Sequence, residues 1–437
     1  MGINETQHDT QSADECNTTK LSLDIFQDIF KRIEPEVQID TFESEQGSGR
    51  GDNYTAILYR IHLTGQRRCT VDGKKLKWEK NLICKRLPEN VQRREAYKSD
   101  KLFRNEVEFY TTIMPELLKF QGSKTTQVFN AVPKVYIAQP DILVMEDLRI
   151  RGFEMPDRKK GLTVEETTLV LKQVAQFHAL SLAYKYENPK QFEKLRMLTT
   201  EGLFCASNES WYKNYYERLT KNAIKMVSDV LPEDSKYLTA MKDFAESSSF
   251  FSRMVNLVSA ESPLSAICHG DCWVNNFLYR YEINNDQLKV LEVCLVDFQL
   301  IRYSSIALDI ANLLFCCTSK STRDEHLRSF IKLYSSELFS WLEILCSTIP
   351  EHFNTPEKFE ELFTKELKTY GRFALGLALD IIPISTCASE DAPDLYLNTH
   401  LTDETKLGAP ELNFPPNDLC RQKMSEIVID MVDGDML

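Results

Sequence analysis

The stretch that most constrains this chain runs from Ala266 to Asn312 and reads AICHGDCWVNNFLYRYEINNDQLKVLEVCLVDFQLIRYSSIALDIAN. His269-Gly270-Asp271 is followed five residues after the acid by Asn276, and Asp297-Phe298 closes the apolar run Val290 to Val296. Each piece alone is ordinary: a turn acid, a cap amide, a strand-end acid. In this order, with a hairpin between them, they make a specific chemical set. An acid on a small-residue loop, with an amide a few positions later, can hold one nucleophile and one cation together. A second acid leaving a buried strand can complete the cation's shell. Phosphoryl transfer uses such a set: one Asp takes the acceptor hydroxyl's proton, and the amide and second Asp hold Mg²⁺ on the nucleotide phosphates.

The motifs HGDCWVNN, VDFQLIRY and LDI resemble the catalytic and metal loops of the kinase-like phosphotransferases that include aminoglycoside and choline kinases. In finer detail they resemble the insect ecdysteroid kinase-like family, also called CHK-kinase-like. The resemblance implies an α+β, protein-kinase-like fold of two lobes. One is a small β-rich N-lobe with one main helix, and the other a larger, mainly helical C-lobe. We expect a disordered leader over 1–20, a nucleotide-binding lobe over 21–148 and a catalytic and acceptor-binding lobe over 149–437.

Composition agrees with an enzyme of this size and excludes several other classes. The chain has 437 residues, 43% of them apolar, and a net charge of −13 without a basic stripe, which argues against nucleic acid as a partner. No apolar run is long enough to span a bilayer, and the polar start Met1 to Lys20 lacks an apolar signal core. Met1-Gly2 with Thr6 fits the myristoylation pattern formally, but no second membrane signal follows, so no stable anchor is expected. The twelve cysteines are scattered without a CxxC pair, as expected for free thiols in a reducing, cytoplasmic compartment. Cys268, His269 and Cys272 are too few and wrongly spaced for zinc. Nothing in the sequence calls for an obligate protein partner.

In the N-terminal part, Leu21 to Ile33 places Leu23, Phe26, Phe30 and Ile33 on one helical face. Strands follow, interrupted by the glycine-rich turn Gly47 to Tyr54. Such a turn lets backbone N–H groups approach a polyphosphate, although most turns of this kind are plain hairpins. By resemblance Gly49, Gly51 and Asn53 would cover the nucleotide. Lys85 lies in the apolar strand Leu82 to Lys85, where the kinase fold keeps the lysine of the α- and β-phosphates. Its expected partner is Glu106, which shares a helical face with Phe103, Phe109 and Tyr110 and is chosen over Glu108; the alternative reading of Glu106 is a solvated helix charge. The strand Asp141 to Leu148 runs into Glu146-Asp147. By resemblance the backbone from Met145 to Leu148, including Glu146 and Leu148, would grip adenine.

In the C-terminal part, Thr163 with Glu166 forms a capping box that opens a helix to Tyr184. Val170, Val174, Phe177, His178, Ser181 and Leu182 are placed on its buried face, with Leu169, Gln173, Gln176 and Leu180 outside that stripe. His178 reads as a satisfied core histidine beneath the catalytic loop. The aromatic clusters between 185 and 260 fit an acceptor pocket or ordinary packing equally well. Tyr370 to Ile384 reads as a core helix, with one wall of an apolar pocket as the lesser alternative.

By resemblance, Asp271 is the base, His269 steadies its loop, Asn276 and Asp297 hold the metal, and Asp309 anchors the loop backbone. ATP and Mg²⁺ are the implied cofactors. Asp309 follows Asp297 after only twelve positions, too few for a peptide-docking activation segment, and Gln299 stands where protein kinases keep a glycine. A small-molecule alcohol is therefore the expected acceptor, an ecdysteroid or similar steroid-like alcohol by family. The alternatives are choline or another small alcohol, and a nucleotide-binding pseudokinase without turnover.

Overall fold

The computed structural model describes residues 21–47, 55–284, 287–388 and 416–437. The expected leader and the turn residues Gly49, Gly51 and Asn53 lie outside the described residues.

The first helix, α1 (Leu23–Ile33), lies on a sheet of β1 (Val37–Gln46), β2 (Ile57–Arg68), β3 (Lys75–Arg86), β4 (Val135–Gln139) and β5 (Ile142–Glu146). The strand order is β1-β2-β3-β5-β4, all neighbours antiparallel. On α1 the buried residues are Phe26, Ile29 and Phe30. Ile33, expected on that face, is 41% exposed. The i, i+3, i+4 stripe that meets β1 and Trp78 ends one turn earlier than the spacing of Ile33 suggests.

Two helices, α2 (Val91–Ala96) and α3 (Ser99–Glu108), follow β3 in the chain. A π-helical turn, Phe109–Ile113, follows α3 and passes directly into α4 (Met114–Gly122). Such turns insert one extra residue into the helical register and re-aim the side chains beyond it. Here the turn carries Phe109 onto the ring of Phe298, stacked at 3.7 Å between centroids.

The larger, mainly helical part is built around α5 (Val164–Glu187), whose Thr163–Glu166 capping box is present. Gln176 and Leu180, expected outside the buried stripe, are buried as well. The reason is that α5 packs against several elements at once, with α11 (Lys320–Leu345), β7 (Ser265–Cys268) and β9 (Gln287–Leu295) all in contact. Helices α6 (Pro189–Arg196), α7 (Glu209–Ser228), α8 (Lys236–Phe244) and α9 (Ser247–Ser259) lie between α5 and β7 in sequence. The hairpin β8 (Phe277–Asn284) with β9, joined by the short β6 (Phe153–Glu154), brings the chain back to β10 (Arg302–Ser305), which pairs with β7.

The apolar α10 (Ala307–Cys317) is buried along its whole length. It packs on α12 (Pro356–Tyr370) and α13 (Phe373–Thr386), which are separated at Gly371. Helix α13 is core, as expected, covered by α7, α10 and α14 (Asp418–Asp433). The cavity beside it, lined by Leu219, Met226, Asp380 and Pro383 among others, holds only about 20 Å³, room for one water rather than an alcohol. No helix among the described residues is long and apolar enough to cross a membrane.

Candidate active site

The sheet, α3 and the loops at the ends of β7 and β9 converge on one cluster of charges. Lys85, near the end of β3, is 3% exposed. Its Nζ donates to Asp297 Oδ1 at 2.7 Å and lies 2.7 Å from Glu106 Oε2. Glu106 rather than Glu108 is the partner. It is 1% exposed on the same inward face of α3 as Phe103. Burial alone would lower the Lys85 amine, but the carboxylates of Asp297 and Glu106 outweigh it and hold the amine above its ordinary range. Burial raises the Glu106 carboxyl, and Lys85 only partly opposes this.

The loop after β7 holds Asp271 in place through backbone geometry. Gly270 has φ +86°, and a Cβ built on it would sit 1.7 Å from the carbonyl oxygen of Leu300. Only glycine fits that close approach. Asp309, at the start of α10, accepts the backbone N–H of His269 at 2.7 Å and that of Gly270 at 3.0 Å. His178 lies beneath, its Nε2 3.2 Å from Asp309 Oδ2 and its Nδ1 2.6 Å from the hydroxyl of Tyr334. Burial would raise the Asp309 carboxyl, but the His178 bond and neighbouring positive charge hold it below the usual carboxylate range. His178, Cys268 and Asp309 could together offer three atoms to a metal. Both His178 nitrogens and both Asp309 oxygens already have partners, so the cluster reads as a support for the loop.

His269 is buried and kept neutral, its pKa lowered by burial against the pull of Asp309 and Asp297. Its Nδ1 accepts the N–H of Asp271 at 3.3 Å, so Nε2 carries the proton and donates to the carbonyl of Val296 at 3.0 Å. His269 thus bridges the two acid-bearing loops and occupies both of its nitrogens in doing so. Asn276 Nδ2 donates to both the backbone oxygen and Oδ2 of Asp271, each at 2.9 Å. The backbone carbonyl of Asn276 accepts the N–H of Val296 at 3.0 Å, which ties this residue to the strand end that presents Asp297.

Asp297 sits in the left-handed region, φ 67°. A non-glycine residue there is uncommon and is held by its surroundings. The fixed contacts are Lys85 on Oδ1 and, on Oδ2, the amide of Gln299 at 3.3 Å. Gln299 in turn accepts the hydroxyl of Thr55 at 2.5 Å. Asp271 is half-buried, and burial together with repulsion from Asp297 pushes its carboxyl up to about 7, against the pull of Asn276 and Arg302.

The oxygens here suit a hard cation. Asp297 contributes a carboxylate, and Asn276, which donates through its nitrogen, keeps its side-chain oxygen. A cation beside Asp297 would also offset the charge repulsion that raises Asp271.

The profile of the ecdysteroid kinase-like family, EcKL, matches residues 50–347, more than half of the chain. The chain belongs to the ecdysteroid kinase-like family. The match takes in Lys85, Glu106, the HGD loop, Asn276, Asp297 and Asp309. A search of curated protein sequences finds no significant match. Among solved structures the chain is similar to Plasmodium vivax ethanolamine kinase, with 11% identity and a TM-score of 0.41 over 94% of this chain and 92% of that one. It is also similar to a streptomycin–ATP–APH(2″)-IIa ternary complex, with 10% identity and a TM-score of 0.31 over 89% and 97%. A glucosamine kinase has 10% identity and a TM-score of 0.30 over 89% and 91%. At these values the likeness says nothing about what this chain binds.

Of the nucleotide-side residues expected from the sequence, Lys85 and Glu106 join the cluster. Glu146 lies at the end of β5, where its Oε1 accepts the N–H of Lys134 at 2.8 Å. Leu148 is buried against Phe153 and Cys294. Three participants were not expected. Thr55 caps the Gln299 amide. Asn105 ties α3 to the loop after Asp297. Arg302, 2% exposed on β10, pairs with Glu201 at 2.8 Å and lies over the ring of Phe373. No local pattern announces them, because their partners are distant in the chain.

Proposed function

We propose that this protein is an ATP- and Mg²⁺-dependent kinase of a small-molecule alcohol, with an ecdysteroid or a similar steroid-like alcohol as acceptor. The observation that carries the reading is the single network Glu106–Lys85–Asp297 set beside Asp271–Asn276. A paired lysine, a carboxylate free to hold a cation and a second acid able to orient the acceptor hydroxyl are what in-line phosphoryl transfer uses within one site. Family membership supplies the acceptor class. The lobes of such an enzyme would divide at Leu148, where β5 has ended and a short helical turn begins.

In this reading the acceptor oxygen attacks the γ-phosphorus and forms the new P–O bond as the bond to the β-phosphate oxygen breaks and ADP leaves. The acceptor's proton passes to an oxygen of Asp271. An alcohol is a far weaker acid than a carboxyl, so the transfer comes late, and Asp271 chiefly orients the hydroxyl. Asn276 holds Asp271 in that orientation. Lys85 contacts the α- and β-phosphates and Glu106 holds Lys85. Asp297 and Asn276 would hold Mg²⁺, which supplies charge neutralisation on the phosphates. His269 and Asp309 keep the loop in shape and exchange no proton. Glu146 and Leu148 lie where adenine would meet the backbone, and Gly49, Gly51 and Asn53 would cover the phosphates.

Support for a small acceptor rather than a peptide comes from the short path after Asp297. Only a brief helical turn, Phe298–Leu300, separates it from β10, which pairs at once with β7. The free thiols among the described residues fit a reducing, cytoplasmic setting.

The test is ATP-dependent phosphate transfer, read as a mass gain, across ecdysteroids, other sterols, choline, ethanolamine and an aminoglycoside. A gain of one phosphate on an ecdysteroid, lost in Asp271→Asn, supports the reading. Transfer to another alcohol alone moves the substrate. ATP binding with no transfer at all favours a nucleotide-binding pseudokinase.

A further inference from the structure

Helix α3, which carries Glu106, is fastened to the large lobe by a strap, residues 199–205, that follows α6. The centre of the fastening is Asn105, 1% exposed. Its Nδ2 donates to the carbonyls of Thr200 at 2.8 Å and Gln299 at 3.1 Å, and its Oδ1 accepts the N–H of Thr200 at 3.3 Å. An amide can donate and accept at once, so one side chain reads both faces of the strap's backbone. The same interface continues on either side of it. Lys98 Nζ lies 3.8 Å from the ring centroid of Trp211, and a Cβ on Gly202 would fall 2.3 Å from Leu102 Cδ2. Beyond α3, Phe109 stacks on Phe298.

Asn105 and Glu106 are consecutive, and successive helical side chains diverge by about 100°. One therefore faces the strap and the metal loop while the other faces β3. The carbonyl that Asn105 grips on the metal loop belongs to Gln299, two residues from Asp297. The large lobe thus contacts α3 on both sides of the Lys85 pair.

We propose that Asn105 is a positioning residue. By clasping Thr200 and Gln299 it sets the rotation and height of α3, so that Glu106 holds Lys85 against Asp297. The clasp rests on geometry alone, and the consequence for ATP rests on the phosphotransferase reading above. Without Asn105, the buried Gln299 carbonyl and the Thr200 carbonyl lose this donor, and α3 keeps toward the strap the weaker contact of Lys101 Nζ with Cys205 Sγ at 3.8 Å.

The test uses the full chain with Asn105→Ala, the near-isosteric Asn105→Asp, Glu106→Gln, and Asn105→Ala combined with Glu106→Gln. Hydrogen exchange of Ser99–Glu108 is measured without ligand. We expect Asn105→Ala to speed it about 10-fold or more while the sheet β1–β5 is unchanged. In turnover, kcat/KM for ATP should fall about 10- to 100-fold with the acceptor KM unmoved, and most of that loss should vanish in the Glu106→Gln background. Unchanged exchange, or a loss that adds fully to that of Glu106→Gln, would overturn the proposal. Should Asn105→Ala fail to fold, Asn105→Asp keeps the size and loses the donor, and the same outcomes apply. If the unaltered protein neither binds ATP nor transfers phosphate, the phosphotransferase reading falls, and hydrogen exchange still decides the clasp.

Discussion

Asp297 Oδ1 meets Lys85 Nζ at 2.7 Å across 212 positions of chain. With Glu106 on its other side, Lys85 lies between two carboxylates, and Lys85 and Glu106 are almost wholly removed from water. Removing the lysine leaves like charges facing each other. Lys85→Met is therefore expected to abolish nucleotide-dependent transfer and to cost about 2–4 kcal/mol of stability. Adding Glu106→Gln should restore part of the stability and none of the transfer. Denaturant unfolding and the transfer assay, run on the unaltered protein, the single variant and the double variant, check this.

Asp271→Asn keeps the shape of the side chain and an oxygen for the Asn276 donor. Transfer should fall on the order of 10²- to 10⁴-fold, the usual worth of a positioned base, with ATP affinity by calorimetry little changed. Survival of turnover would show that another group takes the proton.

The pH profile should carry the sign of the same group. Burial and Asp297 raise the Asp271 carboxyl to about 7. On the proposed mechanism the reacting form is the carboxylate, so kcat/KM is expected to rise with pH through the neutral range and then level. A cation at Asp297 removes part of the repulsion, so raising Mg²⁺ should move the rising limb to lower pH. A limb that ignores Mg²⁺ would place the cation elsewhere.

Gly270→Ala places a methyl group against the Leu300 carbonyl at an unworkable 1.7 Å and asks alanine to hold φ +86°. The expected cost is about 3 kcal/mol or more, read as a fall in Tm, with loss of transfer because the Asp271 loop must move.

Asp380 offers a stability test away from the site. Its carboxyl is raised to about 6 by burial, although the Tyr215 hydroxyl donates to it. Between about pH 4 and 6 the folded chain keeps a proton that the unfolded chain has released, so stability falls as pH rises through that window. The side chain is partly open to solvent, which softens the effect. Asp380→Asn should therefore gain about 1–2 kcal/mol at pH 8 and nothing near pH 4, as thermal melts at the two pH values would show.

The motifs around Asp271 and Asp297 were legible because their logic is local. A glycine before the acid, an amide five positions on and an acid at a strand end each depend on near neighbours. The Lys85–Glu106 pair was expected from the resemblance to the kinase fold, and helical periodicity served only to choose Glu106 over Glu108. Helix α5 was read less well. Its alternation predicted one buried stripe, whereas Gln176 and Leu180 are buried too because the helix is surrounded.

The chain order therefore determined which chemistry was available: three acids, an amide and a lysine placed on a loop, strand ends and an inward helix face. Backbone propensity and side-chain period act over a few residues, and they suffice for that. Tertiary structure decided how those groups meet. Asn105 reaches Thr200 and Gln299, Arg302 reaches Glu201, and Asp309 reaches back to the His269 and Gly270 backbone. Each of these joins elements separated by tens to hundreds of residues. Burial makes them matter, because a polar group taken out of water must find its partner wherever the fold delivers one.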